Sequence, residues 1–396
     1  MTGAIKSLKL HKERTLIRLD LNVPIKDGQV ADDFRIRSAI PTVKHCLEGG
    51  ASVIIMSHLG RPAGKIDESM SLMPVGEALC DYLEMSIKFS DDCISDDAID
   101  VTLSLQPGEV HLLENLRFHA GETENDTYFS RRLAKHGTYF INDAFGAAHR
   151  SHASNVGVIP FIKNVFPGFL MEDEFAFFHD SFIKPKRPLT VVLGGTKLDT
   201  KLPLIKRFIR EADHVIVGGG MVFTLLKASG YSIGKSLIKE DLLRYSKNIL
   251  ELSTSSSGDL LLPKDFRVTN EISSAIVTAV RGEGEIGEDE IGIDIGPVSE
   301  TEFSKVIAKS ETIVWNGPMG IFEIDAFSSG TKRVAQAIAE VSQRGGISII
   351  GGGDSAAAVT KFNLQKDITH ISTGGGASLE LLAGKELPAL KALKMM

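Results

Sequence analysis

Short apolar runs recur along the chain, and each runs into a glycine or a charged residue. The first half holds TLIRLDLNV, ASVIIMSHLG, EVHLLENLRF and TYFINDAFG; the second holds LTVVLGGTK, DHVIVGGGM, ETIVWNGPMG, ISIIGGGDS and THISTGGGAS. Their β-branched content predicts strands. Amphipathic stretches lie between several of them. One is RIRSAIPTVKHCLEGG, which predicts a helix closed by a glycine C-cap. Strand–helix alternation predicts an α/β fold, parallel sheets with helices on both faces.

Ligands of such sheets bind at the carboxyl ends of the strands, so the residues just after each run are the candidates for function. In the first half these are Asp20 and Asn22, then His58 and Arg61, then Arg117, then Asp143 with His149 and Arg150 close behind. In the second half they are glycines: Gly194–Gly195, Gly218 to Gly220, Gly317 and Gly320, Gly351 to Gly353, and Gly374 to Gly376. One half offers side-chain cations and the other bare backbone. The seam falls near residues 180 to 190, where GFLMEDEFAFFHDSFIK predicts a helix and Pro185 and Pro188 stop it. STSSSGDLLLPKDFRV and VRGEGEIGEDEIG predict turns and small hairpins in the second half.

Bulk properties narrow this picture. At 396 residues the chain is long enough for two domains. A net charge of −7 argues against a general binder of nucleic acid or anionic membrane. Cys46, Cys80 and Cys93 form no C-x-x-C pair, which fits a reducing, cytoplasmic setting. The first twenty residues have no apolar core of a signal peptide, and no apolar run reaches membrane-spanning length.

The turn SIIGGGDSAAAV joins a strand to a helix through three glycines, yet carries Asp354. Bare N–H groups there suit a phosphate. A carboxylate fits the same turn if Mg²⁺ lies between it and the phosphates; the plainer reading is a helix N-cap aspartate. GGGDSA also matches G-x-G-x-x-A, but the next strand ends THISTGGG, without the acid that a dinucleotide's ribose requires. Lys197 and Lys201, four apart in GGTKLDTK, share a face at a helix N-terminus if the helix starts there, and would make an anion site. Arg18, Arg35, Arg61, Arg117 and Arg150, with His58, His149 and His152, suggest a pocket for a small multiply charged anion; scattered structural ion pairs are the alternative. No zinc-ligand spacing, P-loop or G-x-S-x-G elbow occurs.

Taken in order, RLDLNVP, DDFRIRSAIPT, MSHLGRP, LLENLRFH, NDAFGAAHRSHAS, GGTKLDTK, GGGMVFTLL, VWNGPMGIFE, GGGDSAAA and STGGGASLELL closely resemble the phosphoglycerate kinase family over essentially the whole chain. The resemblance implies two doubly wound, Rossmann-like parallel-sheet domains joined by a helix hinge, with a cleft between them. The implied limits are residues 1–168 for 3-phosphoglycerate, 169–187 for the interdomain helix and linker, 188–378 for the nucleotide, and 379–396 for a tail returning to the first domain. The implied reaction is Mg²⁺-dependent phosphoryl transfer from 1,3-bisphosphoglycerate to ADP, giving 3-phosphoglycerate and ATP. It proceeds by charge neutralisation and domain closure, without a covalent intermediate. A cytoplasmic monomer is implied as well.

Residue by residue, the resemblance assigns Asp20, Leu21, Asn22, Arg35, His58, Leu59, Gly60, Arg61, Arg117 and Arg150 to the glycerate substrate. Arg35, Lys197, Lys201, Gly352 and Gly375 are the implied catalytic positions. Gly195, Lys197, Lys201, Gly219, Gly220, Gly292, Asn316, Pro318, Glu323, Gly352, Gly353, Asp354 and Ser355 are the implied nucleotide contacts, with Glu323 on the ribose and Asp354 on Mg²⁺. Three positions depart from the usual pattern. Ser355 replaces threonine and Ala383 replaces glutamate, while KLDTK differs between its two lysines.

Overall fold

Each of the nine apolar runs forms a strand in the computed structural model, which describes residues 4–183 and 185–396. The chain divides into two units, residues 1–176 with 384–396, and residues 177–383.

Among the described residues, the first unit holds a six-stranded parallel sheet. Its order is Lys88–Ser90, Val110–Leu113, Ser52–Met56, Arg14–Arg18, Tyr139–Asn142, Asn164–Pro167. The runs are apolar throughout because both faces are covered, and all five residues of Ser52–Met56 are buried. The helix Phe34–Glu48 turns Ile36, Ala39, Ile40, Val43 and Cys46 into the core, the spacing of one helical face. Gly49 caps it in the right-handed region, and Gly50 takes the left-handed turn at φ +79°. Truncating a core residue such as Ile55 to alanine costs about 2–5 kcal/mol.

The second unit repeats the architecture in the order Asp259–Leu261, His214–Val217, Leu189–Leu193, Thr312–Asn316, Ile347–Ile350, His370–Ile371, again parallel. Counted along the chain, this is 3-2-1-4-5-6. The order reverses between Leu189–Leu193 and Thr312–Asn316, and such a switch point opens a crevice at the carboxyl ends. In the first unit the reversal lies between Arg14–Arg18 and Tyr139–Asn142.

The two segments expected to form hairpins part company. Asp265–Thr269, Ala279–Gly282 and Ile291–Ile295 make an antiparallel sheet. Asp259–Leu261 instead joins the edge of the parallel sheet beside His214–Val217. The helix Phe169–Ile183 contains the division between the units at residues 176 and 177. Residue 184, within the expected interdomain segment, lies outside the described residues.

Candidate functional site

In the first unit the strand ends assemble cations around His58. Arg18 is fully buried, and its Nε donates to Ser154 Oγ at 2.7 Å while Nη2 meets His58 Nδ1 at 3.0 Å. Burial, then the charges of Arg18, Arg117, Arg150 and Arg35, push the His58 pKa well below its ordinary value. Four guanidinium groups therefore act on one buried imidazole. Arg117 Nη1 donates to Gly60 O at 2.6 Å, but its Nε and Nη2 are buried with no hydrogen-bond partner among the described residues. Burial and the neighbouring Arg150 and Arg18 lower its pKa to about 10. Arg150 is lowered as well, by burial and then by Arg61. A cationic cluster that leaves buried guanidinium nitrogens without acceptors is suited to an anion.

The remaining glycerate candidates frame this cluster. Arg35 Nη1 pairs with Asp20 Oδ2 at 2.8 Å, and Asn22 Oδ1 accepts from Gly60 N at 2.9 Å. Gly60 takes φ +61°, so the chain can turn there between Leu59 and Arg61. Arg61 is exposed. Leu21 and Leu59 are buried, and Leu59 gives both its backbone N–H and its carbonyl to the Asn115 side chain. Sequence reasoning missed what stands behind the cluster. Glu122 is fully buried and accepts from Ser154 N at 2.9 Å and Ser154 Oγ at 2.7 Å. Burial raises its pKa, but His152, Arg18 and Ser154 outweigh that and hold it low. This anion offsets the otherwise uncompensated Arg18.

Asp143, read as a strand-end candidate, serves another element. Its Oδ1 accepts from Met171 N at 3.0 Å, while Thr42 Oγ1 accepts from Phe169 N at 3.1 Å, so both cap the helix Phe169–Ile183. Burial raises the Asp143 pKa to about 6. Asp92, Cys93 and His119 bring donor atoms within 4.8 Å of one another. Both Asp92 oxygens are engaged there, Oδ1 by Ile94 N and Ser95 N and Oδ2 by His119 Nε2.

In the second unit the glycine turns interlock at the switch point. Gly195 N donates to Pro318 O at 2.8 Å and Gly219 N to Met319 O at 3.1 Å. A Cβ on Gly219 would lie 2.3 Å from Gly195 N, so the backbones approach as only glycine allows. Lys201 stands in this crevice, 5 % exposed, its Nζ donating to Gly194 O at 2.6 Å and Asn316 O at 2.8 Å. Asn316 ends one of the two strands that flank the reversal, and Gly194 directly follows the other. Burial lowers the Lys201 pKa to about 7; Asp354 opposes the shift and Lys197 adds to it. The helix begins at Leu198, so Lys197 is its exposed N-cap rather than a helical residue sharing a face with Lys201.

The GGGD turn is resolved in the same way. Gly352, at φ +91°, is the N-cap of Gly353–Lys361, and Asp354 lies in the first turn, exposed. Asp354 is thus not the N-cap. Asn316 Nδ2 fixes the turn by donating to Gly351 O at 2.7 Å. Ser355 is buried, and its Oγ accepts from Gly317 N at 2.6 Å. Gly375 takes φ +48°, and a Cβ there would meet nothing within 4 Å; Gly353 is equally open. Gly220 lies against Thr196 and Leu237, and Gly292 against the Phe223 ring. Glu323 is exposed on the loop after Thr312–Asn316. The arrangement offers bare amides, one buried amine and one exposed carboxylate, a set suited to a metal-bound polyphosphate.

Comparison with known proteins gives a consistent result. Residues 5–385 match the sequence profile described as phosphoglycerate kinase. A phosphoglycerate kinase of Prosthecochloris aestuarii is 45% identical over 382 residues, 96% of each chain. That of Chloroherpeton thalassium is 44% identical over 381 residues, again 96% of each. Among solved structures, phosphoglycerate kinase from Coxiella burnetii superposes with a TM-score of 0.86 at 40% identity, covering 98% of both chains. The enzyme from Pyrococcus horikoshii gives 0.86 at 31% identity, covering 100% of this chain and 99% of its own.

Proposed function

Since this chain belongs to the phosphoglycerate kinase family, we propose that the cation cluster around His58 and the glycine cradle around Lys201 are the glycerate and nucleotide halves of its site. The activity is that of the family, reversible phosphoryl transfer from 1,3-bisphosphoglycerate to ADP, giving 3-phosphoglycerate and ATP. The reading of the halves rests on one observation. The guanidinium groups of Arg18, Arg117 and Arg150 converge on His58 at the strand ends of one unit, with two Arg117 nitrogens buried and unpartnered among the described residues, and Lys201 is buried among the glycine turns at the switch point of the other.

Arg117, Arg150, Arg61 and His58 hold the phosphate that stays on the glycerate, while Asp20 and Asn22 hold its hydroxyl and carboxyl end. Arg35 and, from the nucleotide side, Lys197 and Lys201 neutralise the transferring group. Gly352 and Gly375 leave room for it with backbone alone. An acyl phosphate is already activated, so no strong base and no covalent intermediate is needed; positioning and charge neutralisation suffice. The two ligands must meet for transfer, so turnover includes a step that brings them together and excludes water.

The residues of the second half fit Mg²⁺. Asp354 offers an exposed hard oxygen in the first turn beside free N–H groups, which matches an ion that takes few protein ligands together with nucleotide phosphates. When bound, Mg²⁺ supplies charge neutralisation on the phosphates. Gly195, Gly219, Gly220, Gly292 and Pro318 line the adenine side, Glu323 meets the ribose, and Asn316, Gly353 and Ser355 shape the phosphate turn. A cytoplasmic monomer is the proposed setting. Free Cys46, Cys80 and Cys93 fit a reducing compartment, and no described helix is long and apolar enough to cross a membrane.

A coupled assay of ATP formation from 1,3-bisphosphoglycerate and Mg·ADP tests the assignment together with two variants. Arg117→Ala should raise the KM for 1,3-bisphosphoglycerate and leave that for nucleotide unchanged, whereas Gly219→Val should do the reverse. The opposite pattern would overturn the assignment of the halves.

A further inference from the structure

The helix Gly353–Lys361 carries Asp354 in its first turn and ends on Lys361. The Lys361 ammonium donates to Phe322 O at 2.9 Å and Glu323 O at 3.0 Å, and it pairs with Asp325 Oδ1 at 2.6 Å. An ammonium has three hydrogens, so these bonds use all of them, and each ends on residues 322 to 325. Asp325 is nearly fully exposed, and that ion pair alone would count for little. The carbonyl bonds differ, because they fix the backbone from which the Glu323 carboxylate projects.

The same loop is held from below. Ile321 N donates to Ile293 O at 3.0 Å, and the Phe322 ring is buried in the core of the unit. Gly320 sits so close to Asp294 that a Cβ there would lie 2.4 Å from its Oδ1. The base of the loop is therefore set by the strand Ile291–Ile295 and its tip by Lys361. Nine helical residues make a rod of about 13 Å, with the phosphate turn at one end and Lys361 at the other.

We propose that Lys361 is a positioning residue for nucleotide recognition. Through the carbonyls of Phe322 and Glu323 it holds the Glu323 carboxylate at a fixed distance from the phosphate turn, so that ribose and phosphates are engaged together. The proposal rests on the reading of Glu323 as the ribose ligand.

The test compares full-length wild type, Lys361→Met, Lys361→Arg and Glu323→Gln, each first checked by thermal melting. Equilibrium titration uses Mg·ADP and Mg·2′,3′-dideoxy-ADP, which lacks the ribose hydroxyls. Lys361→Met should raise the Kd of Mg·ADP roughly tenfold, the loss of one charge-assisted hydrogen bond, and leave that of the dideoxy nucleotide unchanged. Lys361→Arg, which can still donate to both carbonyls, should recover most of the affinity, and Glu323→Gln should show the same selectivity as Lys361→Met. Equal weakening of both nucleotides by Lys361→Met, or none, while Glu323→Gln remains selective would overturn the positioning role and leave the ribose reading standing. Unaltered Mg·ADP binding by Glu323→Gln would overturn the ribose reading and the proposal with it.

Discussion

Arg18 Nη2 stands 3.0 Å from His58 Nδ1, and a guanidinium nitrogen can only donate. Nδ1 therefore accepts, and the imidazole proton sits on Nε2. Burial and four neighbouring guanidinium groups keep the ring neutral, so in the proposed glycerate site His58 would offer its ligand a hydrogen-bond donor while the arginines supply the charge. Nitrogen-15 NMR should find the Nε2–H tautomer at about pH 7, with no titration through the neutral range. An imidazolium signal there would contradict the geometry.

Arg117 has two buried nitrogens waiting for acceptors. Replacing it with alanine removes at least one charged hydrogen bond to the bound phosphate, worth about 1.5–3 kcal/mol. The KM for 3-phosphoglycerate should rise at least tenfold, and sulfate should lose its competition with substrate in the same variant. Steady-state kinetics with and without sulfate decide this; retained competition would place the anion elsewhere.

Lys201 predicts a proton uptake. Its pKa, lowered to about 7, leaves the amine largely neutral above neutrality in the free protein. Bound polyphosphate favours the ammonium, so at about pH 8 nucleotide binding should draw close to one proton from solvent, and affinity should fall by up to tenfold per pH unit above that pKa. Calorimetry in buffers of different ionisation heat measures the uptake. Lys201→Met should abolish it, and identical heats in every buffer for the wild type would refute it.

His111 and His136 share a proton chain with one consistent order. His136 Nε2 donates to Cys93 O at 3.1 Å, so its Nδ1 accepts from Thr102 Oγ1 at 2.6 Å; Thr102 in turn accepts from His111 Nδ1 at 2.9 Å, and Ser90 Oγ donates to His111 Nε2 at 2.7 Å. Burial lowers both pKa values to about 4. Below about pH 6.5 the unfolded chain binds protons that the folded protein refuses, so stability falls with acid. Asp143, raised to about 6, and Asp294, raised to about 7, run the other way: the folded protein holds their protons more tightly than the unfolded chain does. Asp294→Asn removes one opposing group and should steepen the acid loss between about pH 7 and 4 by up to about 1.4 kcal/mol per pH unit. Urea titrations across that range give the slope, and an unaltered slope would rule out a raised Asp294.

If Asp354 holds Mg²⁺ as proposed, Asp354→Asn should weaken Mg·ADP binding at least tenfold while leaving 3-phosphoglycerate binding unchanged, since the carboxylate charge would then act on the metal and not on the glycerate. ADP titrated in excess EDTA should bind both proteins alike. A variant that weakens ADP equally without Mg²⁺ would assign Asp354 to the nucleotide itself.

Most of the strands are legible because their β-branched apolar runs are continuous and end in a glycine or a charged residue. Lys88–Ser90 and Asp259–Leu261 are not, because neither leads into the glycine turn that marks even the two-residue edge strand His370–Ile371, and each is recognisable only from the neighbour it pairs with. Arg117 and Arg150 can be read because side chains just after parallel strands converge. Glu122 cannot, because its role depends on Ser154, 32 residues away, and Lys361 cannot, because it acts on carbonyls that every residue possesses. Spacing would put Lys197 on a shared face with Lys201 only if the helix included it, but the helix begins at Leu198. Asp143 shows the limit of position as a guide: it ends a strand, but its carboxylate faces a helix N-terminus.

The segment 384–396 belongs with residues 1–176. Leu387 and Leu390 are fully buried there, and Ala389 N donates to Ala148 O at 3.1 Å. Residues 177–383, by contrast, are contiguous. A chain cut after residue 383 should therefore show the second unit melting as in the whole protein and the first unit melting earlier, which differential scanning calorimetry can resolve. On the ribosome the amino-terminal unit, though synthesised first, stays incomplete until its last strip of sequence emerges, so the later-made unit is the one able to finish folding first, and its neighbour spends the interval with an uncovered apolar surface that chaperones can grip.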